Sequence, residues 1–167
     1  MADLQPAFDP LAILAALDRQ RVTYIVVGGF ARVIQGAEET TRGVDIVPST
    51  REENIRRLDL ALQELNVRTP TGGTVSIDQS TLHEPVVAVT TDLGELKLVW
   101  EPAGTGGYDD LRRAATREPL GRGLRPSVAS IGDLSRMLSA LGRQEDIPKV
   151  LAMRRLAELE ISRGLER

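Results

Sequence analysis

A pair of glycines near the start of the chain separates a short apolar run from a helical segment. The run Tyr24-Ile25-Val26-Val27 has the length and the β-branched content of a buried strand, and it stops at Gly28-Gly29. A short helix over 30–35, ended by Gly36, and a second strand over 44–47 come next. This order predicts a strand, a tight turn, a helix and a returning strand in a mixed α/β core.

The glycine turn is suited to facing a phosphate. Where a strand ends in glycines and a helix begins, backbone N–H groups can point at a phosphate. Asp45 lies on the next strand, where a carboxylate could hold a divalent metal beside that phosphate. Alternation puts residues 43, 45 and 47 on one face, so an Asp-x-Asp pair there would aim two carboxylates at one metal. The plain alternative is a turn with no ligand and an Asp45 that is solvated or paired with a basic side chain.

The remaining patterns place further helices and strands around this unit. Asp9-Pro10 predicts a helix start, and apolar spacing predicts a helix over 51–65 behind a capping box formed by Thr50 and Glu53. Strands are expected over 74–78, 85–90 and 94–100, with the last two joined by a hairpin at Asp92-Leu93-Gly94. Later helices are expected over 108–115, over 130–141 between a Ser130 cap and Gly142, and over about 145–162, with a polar connector before residue 127.

These elements predict an α/β fold with a mixed sheet of about five strands, flanking helices and a helical C-terminal portion. We expect a core over residues 1–128 and C-terminal helices over 129–167 packed on it, as one structural unit. The length of 167 residues agrees with one domain or one domain with an appendage.

Composition excludes several kinds of site. Cysteine is absent, so neither a disulfide framework nor a cysteine zinc site can form, and one histidine, His83, cannot build a multi-histidine metal site. No segment approaches the roughly 18 apolar residues that span a membrane, and the first ten residues lack the order of a secretion signal. We therefore expect a cytoplasmic protein, and its net charge of −3 argues against non-specific nucleic-acid binding.

A longer pattern surrounds the glycine pair and extends downstream. Six residues fall in one register of the pattern Gly-Gly-x-Ala, a following Gly, then Arg-x-Thr-x-Asp-x-Asp: Gly28, Gly29, Ala31, Gly36, Thr41 and Asp45. The strand over 94–98 and the segment 130–146, which includes Gly142-Arg143-Gln144-Glu145-Asp146, match later parts of the same pattern. Over about residues 20–155 the chain resembles the nucleotidyltransferase superfamily, particularly the AbiEii-type and minimal nucleotidyltransferase proteins of bacterial toxin–antitoxin systems.

The chain departs from that pattern at the residues that would hold metal. The resemblance implies three carboxylates, but Gly43 stands at the first position and Lys97 at the third, so only Asp45 remains. Glu39 replaces an expected Arg, and Leu138 replaces an expected Lys. We hypothesise that Lys97 replaces the metal electrostatically by pairing with Asp45. Glu95, on the same strand face as Lys97, is the candidate for a displaced third carboxylate.

Two functions follow from the resemblance, and the sequence leaves open whether the chain is an enzyme. The first is a degenerate nucleotidyltransferase, a pseudoenzyme that serves as a binding or regulatory component of a toxin–antitoxin or phage-defence type system. The alternative is an active enzyme that moves a nucleoside monophosphate from an NTP to RNA or protein, with Mg²⁺ on Asp45 and Glu95. The nucleotide-binding candidates are Gly28, Gly29, Thr41 and Lys97.

Two surfaces are candidates for partners. One is a basic stretch that is either a solvated surface or a contact for phosphate or RNA. Its residues are Arg112, Arg113, Arg117, Arg122 and Arg125. Aromatic residues make up only 3% of the chain, which disfavours base stacking on single strands. The other is the apolar stripe of the C-terminal helices, which is expected in the core or in a helix-packing seam, and which could support a homodimer or a protein partner.

Overall fold

The computed structural model describes residues 8–165. Residues 1–7 and 166–167, on which the secretion-signal interpretation and the outer ends of the two expected regions fall, lie outside that range. The helices are α1 (Pro10–Arg19), α2 (Gly28–Ile34), α3 (Glu52–Glu64), α4 (Tyr108–Leu111), α5 (Ile131–Leu141) and α6 (Ile147–Leu165). The strands are β1 (Tyr24–Val27), β2 (Gly43–Pro48), β3 (Val86–Thr91), β4 (Gly94–Val99), β5 (Thr116–Arg117) and β6 (Ser127–Val128). Short 3₁₀ helices cover Gln79–His83 and Gln144–Asp146.

The strands form one six-stranded mixed sheet in the order β3-β4-β2-β1-β6-β5. β1 pairs antiparallel with β2 and parallel with β6, while β2 pairs parallel with β4. β3 and β5 close the two edges through antiparallel pairs with β4 and β6. The predicted α/β fold with a mixed sheet and flanking helices is therefore confirmed, and the sheet has one strand more than expected.

β1 is one of the two central strands of the sheet, and all four of its residues are apolar or aromatic and buried. In the neighbouring strand β2, buried and partly exposed side chains alternate at the start: Val44 and Ile46 are fully buried, and Asp45 is partly exposed. The hydrophobic core lies between this sheet and the helices α1 and α3. Both the sheet and the helices contribute apolar side chains to it, and their removal from water stabilises the packing. The largest fully buried side chains of the core include Ile13, Leu14, Leu17, Ile25, Ile46, Leu58, Leu62, Leu96 and Leu98.

The predicted helix ends are partly confirmed. The Asp9 carboxylate accepts a hydrogen bond from the N–H of Ala12, and the Ser130 hydroxyl accepts one from Asp133, as N-caps do. Gly142 ends α5 in the left-handed conformation, with φ of 63°. The capping box at Thr50 is wrong, because α3 begins at Glu52 and its N-cap has no side-chain hydrogen bond.

α3 is instead fixed to the sheet by a buried asparagine. Asn54 donates its amide N–H groups to the carbonyls of Thr23 and Ser49, at 2.9 and 2.8 Å. Its amide oxygen accepts the N–H of Thr23 at 2.7 Å. One side chain therefore joins α3 to the segments that flank β1 and β2.

Three predicted segments differ from the structure. Residues 74–78 form no strand: Thr74 makes a single bridge to Arg68, and the N–H of Ile77 donates to the carboxylate of Asp59. The helix expected over 108–115 ends at Leu111 because the chain turns into β5. β5 lies in the expected connector and β6 begins where the connector ends, and strands of two residues are too short to show a sequence period. Within residues 8–165, no helix is long and apolar enough to cross a membrane.

Candidate functional site

The Gly28 turn faces Asp45 across the β1–β2 pair. Val27, the last residue of β1, lies opposite Asp45 in the antiparallel register, and Gly28, with φ of +73°, is already the first residue of α2, which was expected to begin at residue 30. A Cβ atom at residue 28 would collide with the carboxylate of Asp45. Glycine is thus required twice, by the backbone conformation and by the close approach of the carboxylate.

The structure brings the predicted carboxylate and lysine positions to one face of the sheet. In the parallel register of β2 and β4, Gly43 lies beside Glu95 and Asp45 lies beside Lys97. Asp45 is partly buried, whereas Glu95 and Lys97 are exposed. Among the ion pairs between described residues there is none that joins Lys97 to Asp45, so the lysine acts on the carboxylate through space rather than by direct contact.

Burial controls the protonation of Asp45. Loss of solvent raises the pKa of its carboxyl above the usual range, and the positive charges of Lys97 and Arg32 oppose that rise. The nearby Glu95 adds to the rise because a second negative charge disfavours ionisation. The ionised form of Asp45 therefore lowers the stability of the folded state.

This cost predicts how Asp45→Asn changes the dependence of stability on pH. A raised pKa in the folded state means that folding takes up a proton, so wild-type stability falls as pH rises from 3.8, the ordinary value, through the folded value. The asparagine variant lacks this loss. We expect it to melt at a higher temperature than wild type at pH 7, with the difference shrinking towards pH 3.8. Thermal unfolding of both proteins across this pH range measures the effect, and a difference independent of pH would contradict it.

No side chain fits at Gly43 without a shift of β4. A Cβ atom at residue 43 would lie 3.0 Å from both the Cβ atom and the carbonyl oxygen of Glu95. Real Cβ atoms rarely come so close to other atoms. The position where the resemblance leads us to expect an aspartate is thus closed by the neighbouring strand as well as occupied by glycine.

Thr41 orders the chain that enters β2. Its hydroxyl donates to the carbonyl of Gly43 at 3.0 Å and lies 3.6 Å from the place of a Cβ at Gly29. This predicted nucleotide-binding residue therefore lies beside the glycine pair, and its hydroxyl group already donates its hydrogen bond to the carbonyl of Gly43.

Sequence reasoning missed Arg32, a buried arginine beneath the same turn. Its Nε donates to Glu39 at 2.7 Å and its Nη2 donates to the other carboxylate oxygen at 3.0 Å. The two side chains are only 11% and 14% exposed, so the pair is bidentate and largely desolvated. The signal for it was the acidic residue at position 39 where the resemblance predicts an arginine, because a buried acid needs a basic partner.

Arg32 also acts on the start of α6. Asp146 is 1% exposed and accepts a hydrogen bond from Arg143 at 2.6 Å, and Lys149 lies 3.8 Å from its other oxygen. The hydrogen bond from Arg143 lowers the pKa of Asp146, and the charges of Arg143, Lys149 and Arg32 lower it further. The helix connection that resembles the superfamily pattern is thus electrostatically linked to the residues below the glycine turn.

The described residues do not fit a two-metal site. Between residues 8 and 165 there is no group of three or more His, Cys, Asp or Glu side chains that could hold a metal ion. Asp45 and Glu95 are the two carboxylates on the relevant strand face, and the Lys97 ammonium shares that face.

Two arginines of the basic stretch lie in exposed ion pairs. Arg112 pairs with Asp109 at 3.6 Å and Arg122 pairs with Asp9 at 3.5 Å. Arg117 and Arg125 line a polar cavity of about 440 Å³ beside Tyr24, at the start of β1 and away from the Gly28 turn. Arg113 is exposed just after α4.

Comparison with known proteins identifies the fold. No protein-family profile and no curated protein matches the chain. LnuA, a lincosamide antibiotic adenylyltransferase solved with lincomycin, is 14% identical with a TM-score of 0.62, over 88% of this chain and 95% of LnuA. TM1012 from Thermotoga maritima, grouped with the nucleotidyltransferases, is 17% identical with a TM-score of 0.53, over 96% of each chain. The antibiotic-resistance factor ANT(2'')-Ia is 13% identical with a TM-score of 0.56, over 91% of this chain and 82% of its own.

These neighbours share one architecture, and the chain has the nucleotidyltransferase fold. At identities of 13–17% the similarity establishes the arrangement of elements and leaves the chemistry to the residues of this chain.

Proposed function

We propose that this chain is a nucleotidyltransferase-fold protein that binds a nucleotide phosphate without carrying out two-metal nucleotidyl transfer. We place it, as a binding or regulatory component, in a bacterial toxin–antitoxin or phage-defence type system of the AbiEii kind. The observation that carries the proposal is the strand face beside Gly28, where Lys97 lies next to Asp45 and Glu95 closes the Gly43 position.

Electrostatics oppose a metal pair on this face. At 4 Å and an effective dielectric constant near 20, two unit charges interact by about 4 kcal/mol. A divalent cation at such a distance from the Lys97 ammonium would thus be repelled by up to about 8 kcal/mol before relaxation. Two-metal catalysis relies on carboxylates that hold both ions against the attacking and leaving oxygens. Asp45 alone, with a raised pKa, is a poor clamp of that kind.

The same residues suit an anion. Lys97 is exposed and no ion pair between described residues occupies it, so its ammonium is available to a phosphate. At Gly28 the Asp45 carboxylate fills the place of a Cβ atom, whereas the nearest atoms at Gly29 are the Arg32 guanidinium and the Thr41 hydroxyl, at 3.5 and 3.6 Å, so a phosphate would approach the backbone at Gly29. Arg32 stays with Glu39 and shapes the floor of the site rather than binding ligand.

Lys97→Ala tests this assignment. We expect the variant to bind NTP about tenfold more weakly, because it loses one charge-assisted phosphate contact. We also expect wild-type binding to need no Mg²⁺, since Lys97 takes the place of the ion. Isothermal titration with the four NTPs, each with and without Mg²⁺, measures both effects.

Arg125→Ala is the matched control because it removes one positive charge at the other end of β1. It should leave NTP affinity unchanged. Equal loss in the two variants would reduce the effect to net charge, and NTP binding that appears only with Mg²⁺ would contradict the proposal.

A second candidate function rests on Glu95. This carboxylate lies on the same strand face as Asp45, so together they could hold one Mg²⁺ for transfer of a nucleoside monophosphate to RNA or protein. LnuA, an antibiotic adenylyltransferase, adds a small molecule as a third acceptor class. Glu95→Gln separates the two functions: it abolishes metal-dependent transfer in the enzyme and leaves metal-independent NTP binding intact in the binding module.

A further inference from the structure

α6 carries an apolar face that points away from the rest of the protein. Ile147, Leu151, Ile161 and Leu165 are 54%, 57%, 65% and 84% exposed. At about 100° per residue these four side chains fall within an arc of about 80° on the helix surface. On the opposite side, Met153 is fully buried and Leu156 lies 3.3 Å from the place of a Cβ at Gly36. The inner side of α6 therefore packs on the core, and the outer side leaves large apolar residues in solvent.

Apolar residues of the outer face lie at equal distances on either side of position 156 along the sequence. Ile147 and Leu165 are each nine residues from this point, and Leu151 and Ile161 are each five residues from it. Arg154 and Glu158, two residues on either side, lie in the same arc between the apolar pairs. An antiparallel copy of the helix would thus set apolar residues against apolar residues and Arg154 against Glu158.

The charges at the centre are available for such a contact. Arg154 and Glu158 are both exposed, and the ion pairs within the described part of the chain include neither of them. Their order along the helix, with the base before the acid, is the weaker one for a contact within a single helix. Each can therefore pair with the opposite charge on a second helix.

A shallow cavity extends the apolar face on one side. It has a volume of about 340 Å³ and lies between the end of α5 and the first half of α6, where Leu138, Ile147 and Leu151 contribute to its wall. Leu141, 48% exposed at the end of α5, continues this apolar surface. In an antiparallel pair, Ile161 and Leu165 of the second copy would lie at the edge of this cavity.

We propose that the protein forms a two-fold symmetric dimer in which α6 pairs antiparallel with α6 of a second copy. The two-fold axis crosses the outer face of α6 at the level of residue 156 along the helix. The contact is isologous, so each residue pair occurs twice. A helix of 19 residues is about 28 Å long, and a seam of that size lies at the small end of specific interfaces. We therefore expect a dissociation constant of about micromolar order. This inference does not depend on the proposed function, because the seam lies outside the Gly28 site.

Charge reversal at the centre of the seam tests both the dimer and its register. In a dimer of Arg154→Glu, residues 154 and 158 would form two Glu–Glu contacts across the seam, and in a dimer of Glu158→Arg they would form two Arg–Arg contacts. Each variant should therefore be monomeric where wild type is dimeric. Mixed one to one, the two variants should form a heterodimer, since both central pairs are then attractive. Sedimentation velocity across the micromolar range measures these states, and circular dichroism checks that each variant is folded.

Glu160→Arg is the control, because residue 160 lies about 140° around the helix from the centre of the seam. It should dimerise like wild type. Wild type that stays monomeric through the micromolar range would overturn the proposal. So would single reversals that leave the dimer intact, or a mixture of the two variants that remains monomeric.

Discussion

Arg32→Met is expected to lower the free energy of unfolding by about 3–5 kcal/mol. The substitution leaves Glu39 without a partner in a place where only 14% of its side chain is exposed. A desolvated charge without its partner costs more than the contact contributed, because it cannot recover its water. Asp146 also loses one of the positive charges that favour its ionised form.

Two controls isolate the effect of burial. Arg19→Met removes a base from an ion pair of similar length, 2.6 Å to Glu64, but those side chains are 58% and 33% exposed, so the cost should stay below about 1 kcal/mol. The double variant Arg32→Met with Glu39→Met should recover most of the stability, because apolar side chains of similar size replace a buried pair well. Urea unfolding measures all of them, and equal costs at Arg32 and Arg19 would contradict the account.

Gly28→Ala is expected to cost about 3 kcal/mol, from two separate causes. A φ of +73° places an alanine in the left-handed region, at about 1–2 kcal/mol. The new methyl group also collides with the Asp45 carboxylate, so β2 or the turn must move.

Gly142→Ala separates the two causes, because Gly142 has φ of +63° with no atom within 4 Å of an added Cβ. It should show only the backbone cost. Adding Asp45→Ala to Gly28→Ala should restore about 1 kcal/mol or more relative to additivity, since the collision partner is gone. Equal costs at Gly28 and Gly142, with no coupling to Asp45, would show that the turn does not rest against the carboxylate.

The local unit around Gly28 could be predicted because its signals are short in range. A buried apolar run, two glycines and a second run fix a strand, a turn and a return strand, and alternation then sets which residues share a face with Asp45. The helix caps at Asp9 and Ser130 were predictable for the same reason, since each is decided by a side chain within three residues.

What the sequence did not predict depends on contacts between distant residues. The sequence signal for Arg32 was limited to the acidic Glu39 seven residues on, and only the fold brings Asp146 near this pair. The closure of Gly43 by Glu95 depends on the register of two strands that are far apart in the chain. Residues 74–78 have strand-like composition, but Asp59 of α3 takes the N–H of Ile77, and a ladder does not form.

A Mn²⁺ titration in the presence of a non-hydrolysable NTP, followed by electron paramagnetic resonance, tests the central claim most directly. It needs no knowledge of an acceptor, and the variants at Asp45 and Glu95 show whether any bound metal lies at the Gly28 site. The account predicts that the protein adds no Mn²⁺ affinity to that of the free NTP, and that Asp45→Asn and Glu95→Gln change nothing. Tight binding of Mn²⁺ to the protein–NTP complex, lost in both variants, would contradict it and establish a working metal site.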